Sequence, residues 1–276
     1  MSNFLEQMAA GSRERADAAR SAEPESVLLA RAQSAPTPLP LELAGFDLIA
    51  ELKLRSPAAG GLADRDFDPN AQLDAYAAGG AAAISVLTEP SEFHGSLEHL
   101  KAAADRLRTR GCPVMRKDFL VDSYQILEAR ANGASGVLLI AAMLSDASLA
   151  ELLATASELG LFVLLEAFDT DDLERIARLD FPAAVQVLVG INSRDLKTLA
   201  VDFGRFGELA SQIRSDVPAV AESGIESSEE IETIAELGYS LALVGSALMR
   251  DGNPARQVAS FVSAGRNVVP GSLACS

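Results

Sequence analysis

Six ionisable side chains, Glu51, Lys53, Lys117, Glu166, Arg194 and Glu222, each stand at or just beyond the end of a short apolar run in this 276-residue chain. Lysines and glutamates gathered at one place are equipment for proton transfer, because an ammonium donates, a carboxylate accepts, and a partly dry site tunes both. Glu51 and Lys53 lie two apart and so face the same side of an extended strand; Asn192 and Arg194 repeat that spacing. Either pair could instead serve only structure, with Glu51 and Lys53 neutralising each other and Arg194 closing a strand end. The run Pro113-Val114-Met115 ends in Arg116-Lys117-Asp118, three charges that cannot all be buried cheaply. Alternation turns Arg116 and Asp118 away from the side of Lys117, as supports for it. A cationic, partly dry surrounding is expected to lower the pKa of Lys117 for acid–base work.

Eight apolar runs carry these groups, at 48–52, 82–87, 113–116, 136–140, 162–165, 187–191, 219–221 and 241–244. Their near-continuous apolar content suits parallel strands covered on both faces. Helical segments lie between them. Asp68-Pro69 marks a helix start, and Asp122 with Gln125 and Ser227 with Glu230 have the spacing of capping boxes. Gly111, Gly133, Gly160 and Gly238 follow helical runs, and Leu149, Leu152, Leu153, Ala156 and Leu159 form one apolar stripe. Eight βα units without a break predict an α/β protein with a single closed (β/α)8 TIM barrel. An open doubly wound sheet would call for Gly-x-Gly-x-x-Gly after its first strand, where this chain reads Lys53-Leu54-Arg55-Ser56-Pro57.

In a barrel the carboxyl ends of all strands open on one face, so their polar residues converge. Here they are Glu51, Lys53 and Ser56; Glu89, Phe93 and Gly95-Ser96; Lys117 and Asp118; Glu166; Asn192 and Arg194; Glu222, Ser223 and Gly224; and Gly245-Ser246. The fourth run is the exception and continues apolar as Ala141-Ala142-Met143. The glycine–serine pairs after the seventh and eighth runs sit where barrels bind phosphate through backbone N–H groups. Upstream, residues 1–34 read as helix divided at Pro24, and Pro36-Thr37-Pro38-Leu39-Pro40 as a stiff connector. The expected organisation is a helical extension over 1–45 packed on the barrel, the barrel over 46–264, and an irregular tail over 265–276.

Composition bounds the partners. Hydrophobic residues make up 49% of the chain, enough for a large core. With 39 acidic against 23 basic residues the net charge is −16, which argues against nucleic acid and anionic membrane but not against a small anion held in a local cationic pocket. No apolar run reaches a membrane-spanning length, and Met1-Ser2-Asn3-Phe4-Leu5-Glu6 lacks the regions of a secretory signal, so a cytoplasmic location is expected. Cys112 and Cys275 form no CxxC and suit a reducing compartment; His94 and His99 come without further ligands, and no metal is expected.

The ordered set resembles the indole-3-glycerol-phosphate synthase family from about Ile49 to Pro254. The resemblance rests on Glu51-x-Lys53-x-x-Ser56-Pro57, Ile84-Ser85-Val86-Leu87-Thr88-Glu89 with Phe93-x-Gly95-Ser96-Leu97, and Arg116-Lys117-Asp118-Phe119 leading into Tyr124-Gln125. It continues through Leu165-Glu166, Gly190-Ile191-Asn192-x-Arg194-Asp195-Leu196, Ala221-Glu222-Ser223-Gly224-Ile225 and Leu243-Val244-Gly245-x-x-Leu248-Met249. The N-terminal helices match the extra helices of that family. Departures are Leu54 and Ala58 in the first loop, Ala167-Phe168 after Glu166, and Ser193 where asparagine is commoner.

The resemblance implies ring closure of 1-(2-carboxyphenylamino)-1-deoxyribulose 5-phosphate with loss of carbon dioxide and water. It makes Lys117 the general acid at the ribulose carbonyl oxygen, Glu166 its acid–base partner, Lys53 and Glu51 helpers in the charge changes, and Asn192 an orienting group. Arg194 would contact the carboxylate, while Ser56, Ser223, Gly224, Gly245 and Ser246 hold the phosphate. Glu222 belongs with the substrate-binding residues, and Phe93 and Leu87 would flank the aryl ring, with Phe119 expected in the core. No cofactor is implied; a monomer, or weak association with other tryptophan-pathway enzymes, fits the same reading. A phosphosugar isomerase of the phosphoribosylanthranilate isomerase type is a second reading, disfavoured by Glu51 and Lys53 where that chemistry uses a Cys or Asp pair. A non-catalytic barrel is a third, disfavoured by the presence of both Lys117 and Glu166.

Overall fold

The computed structural model of the protein describes residues 3–53, 55–56, 60–61, 67–195, 200–250 and 252–268. Eight parallel strands close into a barrel: β1 (Asp47–Leu52), β2 (Ala83–Leu87), β3 (Val114–Lys117), β4 (Gly136–Ile140), β5 (Phe162–Ala167), β6 (Val187–Asn192), β7 (Ala219–Glu222) and β8 (Leu241–Val244). Each strand pairs with the next, and β8 returns to β1 with Asp47 opposite Leu241 and Ala50 opposite Val244. Val, Leu, Ile and Ala fill both faces of the strands, as a sheet buried on both sides requires.

Two strands, β4 and β8, have the bounds expected from sequence. Others run further at their carboxyl ends, and the added residues are mostly polar: Lys117 on β3, Glu166 on β5, where Ala167 follows it, Asn192 on β6 and Glu222 on β7. A charge ends an apolar run when it must reach water. Here the ladder continues, with Leu87 opposite Lys117, Ile140 opposite Glu166 and Asn192 opposite Glu222, because these side chains find one another inside the mouth of the barrel.

The helices between strands follow their local signals, with two exceptions. Asp68 caps α3 (Pro69–Ala78) by accepting from the Asn70 N–H, and Ser227 with Glu230 forms a reciprocal box at α10 (Ser228–Glu236). Gly111, Gly133, Gly160 and Gly238 take φ of 67°, 85°, 70° and 94° after their helices. At α6 (Ser123–Ala131) the expected box does not close. Asp122 accepts from Tyr124 N at 2.8 Å, but Gln125 turns to accept from Val121 N at 2.8 Å and to donate to Ser12 Oγ at 2.8 Å. The docked N-terminal helix supplies a tertiary partner that local spacing does not reveal. The second exception is α12 (Pro254–Asn267), which continues three residues into the stretch expected to be irregular; Arg266 ties it down by donating to Phe46 O at 3.0 Å and pairing with Asp47 at 2.6 Å.

Upstream of the barrel, α1 (Asn3–Ala22) and α2 (Glu25–Ser34) divide at Pro24. Leu28 and Ala32 of α2 bury against Tyr124 and Leu127 of α6. The Tyr124 hydroxyl donates to Ala19 O and Glu23 O at 3.1 and 2.9 Å, tying the end of α1 to the same helix. The proline-rich connector is pinned by Leu39 N donating to Ser135 Oγ at 2.9 Å and by Arg108 at Thr37 O.

The charged exit of β3 is held from behind. Arg116, buried, donates to Thr88 Oγ1, Gln125 O, Glu128 and Asp118 at 3.1, 2.9, 3.0 and 3.1 Å. Asp118 also accepts from Thr88 Oγ1 at 2.7 Å, Phe119 N at 2.8 Å and Arg15 of α1 at 2.8 Å. Both neighbours of Lys117 thus act as supports, as alternation predicts. Breaking a buried, hydrogen-bonded ion network leaves an uncompensated charge, so Arg116→Ala is expected to destabilise the fold by about 3–5 kcal/mol, measured by urea unfolding.

Candidate active site

The carboxyl ends of the strands surround one pocket. Lys117 stands among three carboxylates there. Its Nζ lies 3.2 Å from Glu166 Oε2 and 3.4 Å from Glu222 Oε2, and Glu51 adds a further attraction. Burial alone would lower the pKa of Lys117, but the fields of Glu166, Glu222 and Glu51 outweigh it and raise the value above that of an ordinary lysine. The lowering expected from sequence is therefore reversed, because the residues that converge on Lys117 are anions rather than cations. Lys117 stands as a charged donor.

One cation cannot neutralise two adjacent carboxylates, and the imbalance falls on Glu222. Burial first, and then Glu166 beside it, push the Glu222 carboxyl well above the usual range, only partly offset by Lys117. Its Oε1 is buried without a hydrogen-bond partner. Gly190 on β6 makes the seat: a Cβ at that position would run into Glu222 Oε1.

Glu51 and Lys53 face the same side, as their spacing predicts, with Lys53 Nζ 2.7 Å from Glu51 Oε2. Burial would raise the Glu51 pKa, but Lys53, Lys117 and Arg194 together hold it below the ordinary carboxylate value. Asn192 and Arg194 both line the pocket, and Asn192 Oδ1 accepts from Arg194 N at 3.0 Å. Ser223, Gly224, Gly245 and Ser246 line the side of the pocket formed after β7 and β8, next to Lys53. Ser56 pairs through its backbone with Gly60 in a short antiparallel ribbon; its side chain, with Leu54 and Ala58, lies outside the described residues.

The apolar wall contains Leu87 and Phe93, as expected, together with Leu138 and Ile140 from the apolar strand β4. Phe119 is buried in the core and also borders the pocket, its ring 6.1 Å from Phe93. Sequence reasoning missed Phe4 and Leu5 of α1, which line the same pocket; the Phe4 ring meets Phe119 edge-on at 5.9 Å. The apolar pair at the start of an otherwise polar helix was the available signal. Glu89, counted among the rim residues, does other work. It is buried and accepts from Ser91, Glu92 and Phe93 N–H groups, capping the short helix α4 (Pro90–Phe93) that carries Phe93 to the pocket.

The fold and this rim define a class: a (β/α)8 barrel with a proton-transfer cluster, an apolar wall and a glycine–serine edge suited to phosphate. Comparison with known proteins makes the class specific. The family model for indole-3-glycerol phosphate synthase matches residues 5–261, and the chain belongs to that family. An indole-3-glycerol phosphate synthase from Micrococcus luteus is 41% identical over 278 aligned positions, covering 96% of this chain and 99% of the relative. One from Nocardioides sp. is 47% identical over 218, covering 79% and 80%. Among solved structures, 3-hexulose-6-phosphate synthase from Salmonella typhimurium aligns with a TM-score of 0.62 at 15% identity, over 79% of this chain and 98% of that one, a likeness of fold.

Proposed function

We propose that the protein converts 1-(2-carboxyphenylamino)-1-deoxyribulose 5-phosphate to indole-3-glycerol phosphate, carbon dioxide and water. The observation that carries this reading is the cluster in which Lys117 touches both Glu166 and Glu222 beneath an aromatic wall. The ring carbon that bears the carboxylate attacks the ribulose carbonyl carbon while Lys117 donates a proton to the carbonyl oxygen. Carbon dioxide leaves as the first new bond is fixed. The resulting hydroxyl must then depart as water with loss of a proton from the adjacent methylene carbon that bears the nitrogen, steps for which Glu166 is the base and Lys117 the adjacent acid.

Glu222, whose carboxyl is pushed toward its neutral form by burial and by Glu166, eases the excess negative charge around Lys117 and is placed to return a proton to the lysine. The Lys53–Glu51 pair steadies the charge that shifts between carboxylate and carbonyl, with Asn192 orienting the reacting groups and Arg194 reaching the carboxylate. Phe93, Leu87 and Phe4 flank the aryl ring. Ser223, Gly224, Gly245 and Ser246, with Ser56, hold the phosphate. The same reading includes a helical extension over 1–45 ahead of the barrel, action as a monomer or in weak association with other tryptophan-pathway enzymes, and a cytoplasmic location.

The test offers the purified protein two substrates. Carboxyphenylamino-deoxyribulose phosphate is expected to yield indole fluorescence, and phosphoribosylanthranilate is expected to remain unchanged. Turnover of the second alone would replace this reading with the isomerase.

A further inference from the structure

We infer that Ser193, which does not line the pocket, is a positioning residue that sets the anion-holding turn after β7. Ser193 follows β6 and is completely buried. Its Oγ donates to Ser223 O at 3.0 Å, and its own N–H donates to Glu222 O at 3.0 Å, so one residue grips the chain on both sides of the β7 exit. That exit is unusual in its backbone. Ser223 and Gly224 take φ of 71° and 70°, and for serine the left-handed region is unfavourable unless surroundings hold it.

The bond from Ser193 also fixes a direction. In a trans peptide the C=O and the following N–H point to opposite sides. With Ser223 O drawn toward buried Ser193, the Gly224 N–H is aimed away from Ser193, and both Ser223 and Gly224 border the pocket. That N–H donates to no protein acceptor among the described residues. Val201 packs over Gly224, where a Cβ would strike it, and Asp202 N donates to Ser193 O at 3.0 Å. Val201 and Asp202 are thereby held against the same turn, with Arg194 and Val201 forming a bridge. Ser193 joins the Arg194 segment to the Ser223–Gly224 turn.

This inference rests on the reading that the turn holds the substrate phosphate. Its test measures KM, kcat and the Kd of inorganic phosphate for wild type, Ser193→Ala and Ser193→Cys, the last with a thiol of similar size that donates weakly. Ser193→Ala is expected to raise KM and the phosphate Kd together by about fivefold, within the range of one neutral hydrogen bond, with kcat within about twofold of wild type. Ser193→Cys should fall between them, and it decides by the same constants if the alanine variant does not fold. Unchanged KM and Kd, or a fall in kcat alone, would overturn the inference. Phosphate that binds the wild-type protein without competing with substrate would remove the phosphate reading underneath it, a separate result that takes the inference with it.

Discussion

Lys117→Met lowers kcat by about a thousandfold in the expected result, the middle of the range for a general acid or base. Methionine keeps most of the length of the side chain and removes the proton and the charge. The loss should fall on kcat more than on KM, because in the proposed mechanism Lys117 acts on oxygen atoms whose charge changes during reaction, while Phe93, Ser223 and Gly245 still line the pocket. Steady-state rates followed by indole fluorescence give both constants. A normal kcat would remove Lys117 from the chemistry and leave the Lys53–Glu51 pair as the remaining donor–acceptor couple.

Glu222→Gln is expected to separate stability from activity. The folded state raises the Glu222 pKa above that of the unfolded chain, so between those two values the native protein holds a proton that the unfolded chain has lost. The corresponding stability is intact below the unfolded pKa and is lost as pH rises through that window. Glutamine mimics the neutral carboxyl and cannot ionise, so this pH dependence should disappear. At pH 8 the variant should therefore melt higher than wild type. Its kcat should fall about a hundredfold, since the amide cannot relay a proton to Lys117. Melting curves and rates at pH 6 and pH 8 check both halves. A variant that melts lower at pH 8 would show that Glu222 is needed as an anion, contrary to the charge balance with Lys117 and Glu166.

The barrel was legible because every strand but the fourth is a short apolar run with a polar residue at the same end. Once eight apolar runs share one direction, closure brings Glu51, Lys117, Glu166, Asn192 and Glu222 to a common mouth. Side-chain alternation also placed Lys53 beside Glu51 and turned Arg116 to the rear, where it holds Asp118, which itself still borders the pocket. What stayed hidden depends on contacts between distant elements. The raised pKa of Lys117 follows from three glutamates on three other strands, and no local window contains them. Gln125 leaves its expected cap because Ser12 comes from α1, and Glu89 is taken from the rim by the N–H groups of α4. Phe4 could be read as apolar, but only docking of α1 makes it part of the pocket. Ser193 shows the same limit: its type was visible as a departure from the family pattern, and its bond to Ser223 O was not.

The central claim is that ring closure and decarboxylation occur at the cluster around Lys117. The most direct measurement uses substrate carrying ¹³C in its carboxylate and follows labelled carbon dioxide and indole fluorescence in the same reaction. The account predicts one carbon dioxide released for each indole formed by the wild-type protein, with both rates falling together by about a thousandfold in Lys117→Met. Substrate consumed without indole, carbon dioxide released out of step with it, or equal rates in the two proteins would contradict the account.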